Sequence, residues 1–174
     1  SLTTATSVGG LADRILADSY SSVMPAGRLS ATQGQRIAPP ARLTLFNGSP
    51  RGRKGNTPIL LDRFAQGFAS VPGRTFEMIH LNRLQERESQ FQAFAESEAV
   101  WLGLPLYTDA MPGIVKEFIE ALAPLAGRPG NPPIGFLVQS GFPEALHSRH
   151  LERYLQKLAS RLKVPYLGTI VKGG

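Results

Sequence analysis

The 174-residue chain has no cysteine. That excludes disulfides, thiolate metal sites, iron–sulfur clusters and a cysteine nucleophile. A cytoplasmic location fits this composition. No apolar run approaches the roughly 20 residues needed to cross a bilayer, and the first residues lack a basic stretch followed by an apolar core, so neither membrane insertion nor a signal peptide is expected. Internal repeats are absent. No Ser/His/Asp constellation or carboxylate pair suggests hydrolysis. The three histidines include His147 and His150, spaced for one helix face, but no carboxylate pattern accompanies them, so no metal site is expected.

Negative charge is also scarce: 19 Lys plus Arg face 13 Asp plus Glu, a formal net charge of +6. The excess has two sources. Residues 128–174 hold Arg128, Arg149, Arg153, Lys157, Arg161, Lys163 and Lys172 against Glu144 and Glu152, and Arg51, Arg53 and Lys54 form a second cluster. Nucleic-acid binding would want aromatics interleaved with cations along one face. Here the first group reads as a solvated helix face, and the second sits in a loop suited to an anion. Attraction of an anionic cofactor or substrate explains the charge more simply, so no nucleic-acid partner is expected.

Length suffices for one domain with a real core. Residues 1–41 stand apart: Leu11–Tyr20 reads as a short amphipathic helix, and residues 25–41, rich in Pro, Gly, Ser and Gln, as a linker. From Arg42 strands and helices alternate. Strands are expected at Leu43–Asn47, Thr75–His80, Ala99–Leu104, Ile134–Val138 and Tyr166–Val171. Helices are expected at Thr57–Ala69, with Ile59, Leu60, Phe64 and Phe68 on one side, then Glu88–Glu96, Pro112–Leu122 and Ser148–Leu162. Such alternation implies an α/β domain over 42–174, a three-layer sandwich around a parallel sheet. The nearly unbroken apolar runs of strands three and four fit strands buried on both faces. Five strands suggest the flavodoxin-like order 2-1-3-4-5. One more helix would complete such a domain after strand five, and the segment around Leu11–Tyr20 is a candidate for its place, in its own chain or in a partner's.

Two loops follow strands one and three, which flank the sheet's reversal, and a third follows strand four, next to them in space. Gly48-Ser-Pro-Arg51 and Gly55-Asn-Thr57 match neither the Walker nor the dinucleotide glycine pattern. Ser49 and Thr57 hydroxyls, the Asn56 amide and the Arg51 guanidinium can still donate to one phosphate at a helix start. The alternative is an ordinary turn in which Asn56 or Thr57 caps the helix. Pro105-Leu-Tyr-Thr-Asp-Ala-Met-Pro-Gly113 offers the Tyr107 ring and hydroxyl in a proline-stiffened loop; the plain reading is a packed surface aromatic, with Asp109 a polar group at a helix start. Gln139-Ser-Gly-Phe-Pro-Glu144 can turn backbone N–H groups of Ser140, Gly141 and Phe142 toward a planar heterocycle, or be a simple turn with Glu144 at the positive end of a helix. Asn47-Gly-Ser49 matches a glycosylation sequon, of little weight at a buried strand end.

Taken together, these loops resemble the NAD(P)H-dependent FMN reductase family of flavodoxin-like proteins. The resemblance spans residues 42–172 and includes Pro105–Lys116 and the ending Gly168–Gly174. It implies that Ser49, Arg51, Asn56 and Thr57 bind the FMN phosphate. Pro105, Leu106, Tyr107 and Thr108 would line the isoalloxazine and ribityl chain, and Ser140, Gly141 and Phe142 would approach the polar edge of the ring. It implies hydride transfer from NAD(P)H through FMN to a quinone, a flavin or another small acceptor. It also implies homo-oligomerisation, since FMN sites in the family often use a dimer interface. Iron–sulfur members carry a cysteine cluster between strands two and three; Leu81–Ser97 is short and has none, which leaves flavin as the redox centre. The rival readings are a flavodoxin-type electron carrier, which the basic charge disfavours, and a flavin-free interaction module that keeps the fold.

Overall fold

The computed structural model describes residues 39–107, 110–141 and 148–173. The expected N-terminal helix and most of the linker lie outside these, as do Thr108, Asp109, Phe142, Glu144 and His147. Five strands, β1 (Arg42–Asn47), β2 (Thr75–His80), β3 (Ala99–Leu106), β4 (Ile134–Ser140) and β5 (Tyr166–Lys172), alternate with α1 (Asn56–Ala69), α2 (Arg87–Ala95), α3 (Gly113–Ala121) and α4 (Ser148–Leu162). All strand pairs are parallel, in the order β2-β1-β3-β4-β5. This is the flavodoxin-like α/β arrangement expected from the sequence.

Strand residues alternate between two cores because successive side chains point to opposite faces. Leu43, Leu45, Ala99, Trp101 and Leu137 pack with Leu61, Phe64, Ala65 and Phe68 of α1. Phe46, Val100, Leu102, Leu104, Phe136 and Val138 pack with Phe94 of α2, Val115 and Phe118 of α3, and Leu155, Leu158 and Ala159 of α4. On α1 the expected apolar side is corrected: Ile59 is exposed, while Leu61 is buried. The buried positions Thr57, Leu61, Phe64, Ala65 and Phe68 follow the 3.6-residue period, and Ile59 lies off that stripe.

β3 and β4 run two residues further than expected, taking Pro105, Leu106 and Ser140 out of the loops and into strands. The reason is register. β1 pairs with β3 only as far as Asn47↔Gly103, whereas β3 and β4 continue together to Leu106↔Ser140. The Gly103 carbonyl faces β1, accepting the Gly48 N–H at 2.7 Å. Pro105 faces the same way two residues on, past the end of β1, so its missing N–H costs no ladder bond.

Candidate functional site

That early end of β1 leaves a notch at the carboxyl edge of the sheet. β3 and β4 overshoot it by three residues, about 10 Å, and the 48–55 loop turns inside. The notch lies where the chain order of the sheet reverses, the place at which open α/β sheets receive ligands.

The loop is shaped by close approach. A Cβ on Gly48 would lie 2.4 Å from Val115 Cγ2 and 2.9 Å from the Gly103 oxygen. At Gly55 it would lie 2.5 Å from Ser49 Oγ. Gly52 has a φ of +57°, in the left-handed region that favours glycine. Asn47, wholly buried, ties these turns together. Its Oδ1 accepts the Ser49 N–H at 3.1 Å, and its Nδ2 donates to the Gly52 carbonyl at 3.1 Å. The same Nδ2 group donates to His80 Nδ1 at 2.8 Å. Asn47 and His80 are paired residues at the ends of β1 and β2.

Of the residues expected to hold a phosphate, Ser49 and Thr57 are almost completely buried, and Arg51 and Asn56 are exposed. Ser49 Oγ accepts the Arg51 N–H at 3.3 Å. Helix α1 begins after Gly55 with no side-chain cap, so neither Asn56 nor Thr57 takes the capping role that the plain reading assigned. Its first turn therefore presents backbone N–H groups at the positive end of a 14-residue helix. Pro58 fits there because a first-turn N–H has no intrahelical partner to lose. Among the described residues, Arg51, Arg53 and Lys54 form no ion pair. An uncapped helix start, two buried hydroxyls and three unpaired cations suit a phosphate monoester.

The strand ends that carry the other two loops adjoin this one. Thr57 Oγ1 donates to Gln139 Oε1 at 3.5 Å, at the outer limit of a hydrogen bond. Gln139 in turn pairs with Pro105. Pro105 is buried, Leu106 is half-buried against the core that includes Leu104 and Phe118, and Tyr107 is 46% exposed, so the chain passes from the interior to the open rim of the notch. Tyr107 and Ala110 exchange two backbone hydrogen bonds, of 3.3 and 2.9 Å. Ser140 is half-buried at the end of β4, and Gly141 is exposed just beyond it. Ser49, Thr57, Pro105, Leu106, Tyr107, Ser140 and Gly141 thus share one edge of the sheet, while Thr108 and Phe142 lie outside the described residues. A groove of about 280 Å³ between α3 and α4, lined by Met111, Ile119, Tyr154 and Leu158, is separate from the notch.

Reading the sequence missed two residues here, Asn47 and His80. Asn47 carried a usable signal, since an Asn before Gly-Ser readily accepts the N–H two residues on. His80 carried none, because its contact exists only through strand pairing. Burial, with Arg53 and Arg83 nearby, pushes the His80 imidazole below its usual range, against a smaller opposing effect of Glu86. This agrees with an Nδ1 that accepts a hydrogen bond.

No protein-family model matches the sequence, and no curated protein matches it. Solved structures do. The Trp repressor binding protein from Bacillus subtilis superposes with a TM-score of 0.61 at 19% identity, over 76% of this chain and 84% of that one. An NADH:FMN oxidoreductase in its apo form gives 0.58 at 17% identity, over 77% and 74%. An FMN-dependent NADH-azoreductase from Bacillus anthracis, in complex with FMN, gives 0.58 at 13% identity, over 76% and 87%. At these identities the likeness is one of fold.

Proposed function

We infer that this chain is a flavoenzyme of the NAD(P)H-dependent FMN reductase kind. On this reading it binds FMN in the notch and catalyses electron transfer from a reduced nicotinamide to a small acceptor such as a quinone or a flavin. The observation that carries the inference is the convergence of the three loops on the place where β1 stops short of β3. Two of the proteins that share the fold are described as acting with FMN, which supports the same ligand here.

The fit can be tested residue by residue. The α1 N-terminus, the Ser49 and Thr57 hydroxyls and Arg51 suit the phosphate, with Asn56 beside them at the rim. A charge-assisted hydrogen bond is worth about 1.5–3 kcal/mol, so a few such contacts hold a noncovalent cofactor. Pro105, Leu106 and Tyr107 provide an apolar wall and an aromatic face for a planar ring, and Thr108 continues that stretch. Ser140, Gly141 and Phe142 follow at the end of β4, where backbone N–H groups can favour negative charge on the ring edge. Bound there, FMN supplies the two-electron chemistry; the protein binds it, orients it and tunes its electronics. No side chain is required as acid or base, and none is assigned as catalytic. Cytoplasmic location, homo-oligomerisation and the division of the chain at residue 42 belong to the same reading; the lack of cysteine supports the first, the family resemblance the second, and the change in composition the third.

Titration of the purified protein with FMN, followed by anaerobic addition of NADH or NADPH, tests it. Saturable FMN binding and bleaching by the nicotinamide are expected, with turnover once a quinone is added. Binding without nicotinamide oxidation would make the protein an electron carrier. A chain that never takes up flavin would be an interaction module.

A further inference from the structure

The Asn47–His80 contact has directional consequences. Which way a side-chain amide points is settled by its partners, and here two backbone groups settle it. Ser49 N–H needs an acceptor and receives Asn47 Oδ1; the Gly52 carbonyl needs a donor and receives Asn47 Nδ2. The second proton of Nδ2 therefore meets His80 Nδ1, which must be unprotonated to accept it. If Nδ1 gains a proton, two donors face each other at 2.8 Å. Turning the amide over relieves His80 but leaves both Ser49 N–H and the Gly52 carbonyl facing the wrong group. Either way the loop loses a bond that shapes it.

His80 cannot easily move aside. It is buried at the last position of β2. The wholly buried Gln90 of α2 donates to the His80 carbonyl at 3.1 Å and to the Arg83 carbonyl at 2.9 Å, fixing the backbone behind it. On the other side, Gly52 sits in its left-handed conformation with Asn82 packed against it; a Cβ there would lie 2.4 Å from Asn82 Nδ2. The charged groups facing the ring are Arg53 from the loop itself, Arg83 after β2 and Glu86 from the turn before α2.

We propose that His80 is a positioning residue for the anion loop: its unprotonated Nδ1, by accepting the Asn47 amide, holds Gly48–Gly55 in the shape that receives a phosphate, and protonation releases that shape. The proposal rests on the FMN reading for the identity of the phosphate but not for the clamp itself. FMN affinity then falls on mild acidification by more than the cofactor's own titration accounts for. A bound phosphate attracts an imidazolium and so opposes this effect. The cations Arg51, Arg53 and Lys54 of the same loop offset the phosphate's charge and so weaken that attraction.

Two variants and two readouts test the proposal. His80→Gln places an acceptor that does not titrate; His80→Leu removes the acceptor and leaves the Asn47 amide unpaired. In the flavin-free protein, the Ser49 and Gly52 amide resonances are expected to move with pH in step with the His80 ring, and to stay still in His80→Gln. At about pH 8, where histidine is neutral, His80→Leu should bind FMN about threefold to tenfold more weakly, the range one hydrogen bond gives. His80→Gln should stay within about threefold of wild type. As pH falls through the His80 titration, the wild type should weaken relative to His80→Gln, by about threefold to tenfold once the ring is protonated; the FMN phosphate titrates alike against both and cancels. Amide resonances that ignore the His80 titration, or a His80→Leu variant that binds FMN as wild type does, would overturn the proposal. If FMN binds none of these proteins, the amide resonances alone decide the clamp, and it is the FMN reading that fails.

Discussion

Gly48→Ala perturbs the point on which the notch depends. The new methyl would lie 2.4 Å from Val115 Cγ2 and 2.9 Å from the Gly103 carbonyl, so the loop must retreat from β3 and α3. Val115 is fully buried in the core under α3 and cannot swing into solvent. Retreat also stretches the 2.7 Å bond from Gly48 N–H to Gly103 O. Overpacking of this kind costs about 1–3 kcal/mol, and the weakened hydrogen bond about 1 kcal/mol more. The expected loss is therefore about 2–4 kcal/mol, a large share of the 5–15 kcal/mol that holds a typical domain. Equilibrium urea unfolding reads it as a lower midpoint with an unchanged slope. Val115→Ala removes one of the two clashes, so in a double-mutant cycle the pair should cost less than the sum of the singles by about 1 kcal/mol. A Gly48→Ala protein within about 0.5 kcal/mol of wild type would mean that the loop does not press against β3, and the notch as described would not exist.

Further predictions concern charge, pH and the core. Arg51 is exposed and makes no ion pair among the described residues, so Arg51→Ala should leave the unfolding midpoint alone and weaken FMN binding by about tenfold to hundredfold, the worth of one charge-assisted hydrogen bond; the loss should shrink at high salt in a fluorescence titration. His80 is held below its ordinary 6.5 in the fold, so the unfolded chain takes up the proton first. Stability should be level above that value and fall as pH drops below it, and unfolding curves of His80→Gln across the same range should lack that part of the slope. Trp101 is wholly buried against Phe64, with its ring under Gly135, and its Nε1 finds no hydrogen-bond partner among the described residues. Trp101→Phe removes the unpaired donor and should cost less than about 1.5 kcal/mol, while Trp101→Ala should cost about 3–5 kcal/mol by thermal unfolding.

The sheet order and the approximate positions of the five strands and four α-helices were legible, the strands because burial on both faces writes unbroken apolar runs, as in Ala99-Val-Trp-Leu-Gly-Leu104. The ends of β3 and β4 were not, because Pro105 reads as a breaker until register shows that β1 has already stopped beside it. Ile59 misled for a similar reason: it is apolar and close to the helix stripe, and only packing shows Leu61 inside and Ile59 outside. Within the site, Ser49, Thr57 and Arg51 stand out as donors by type alone. His80 does not, since its contact with Asn47 arises from two strand ends brought level by β1–β2 pairing. Residues proposed to bind through their own chemistry could be read in the chain, and those that shape the loop around them became visible with the fold.

Visible absorption spectroscopy of the purified protein, incubated with FMN, separated from the excess and then given NADPH or NADH without oxygen, tests the central claim most directly. The account predicts that the protein retains the flavin spectrum, that the nicotinamide bleaches it, and that a quinone restores it. A protein that stays colourless after incubation would contradict the reading of the Gly48–Thr57 loop as a phosphate site.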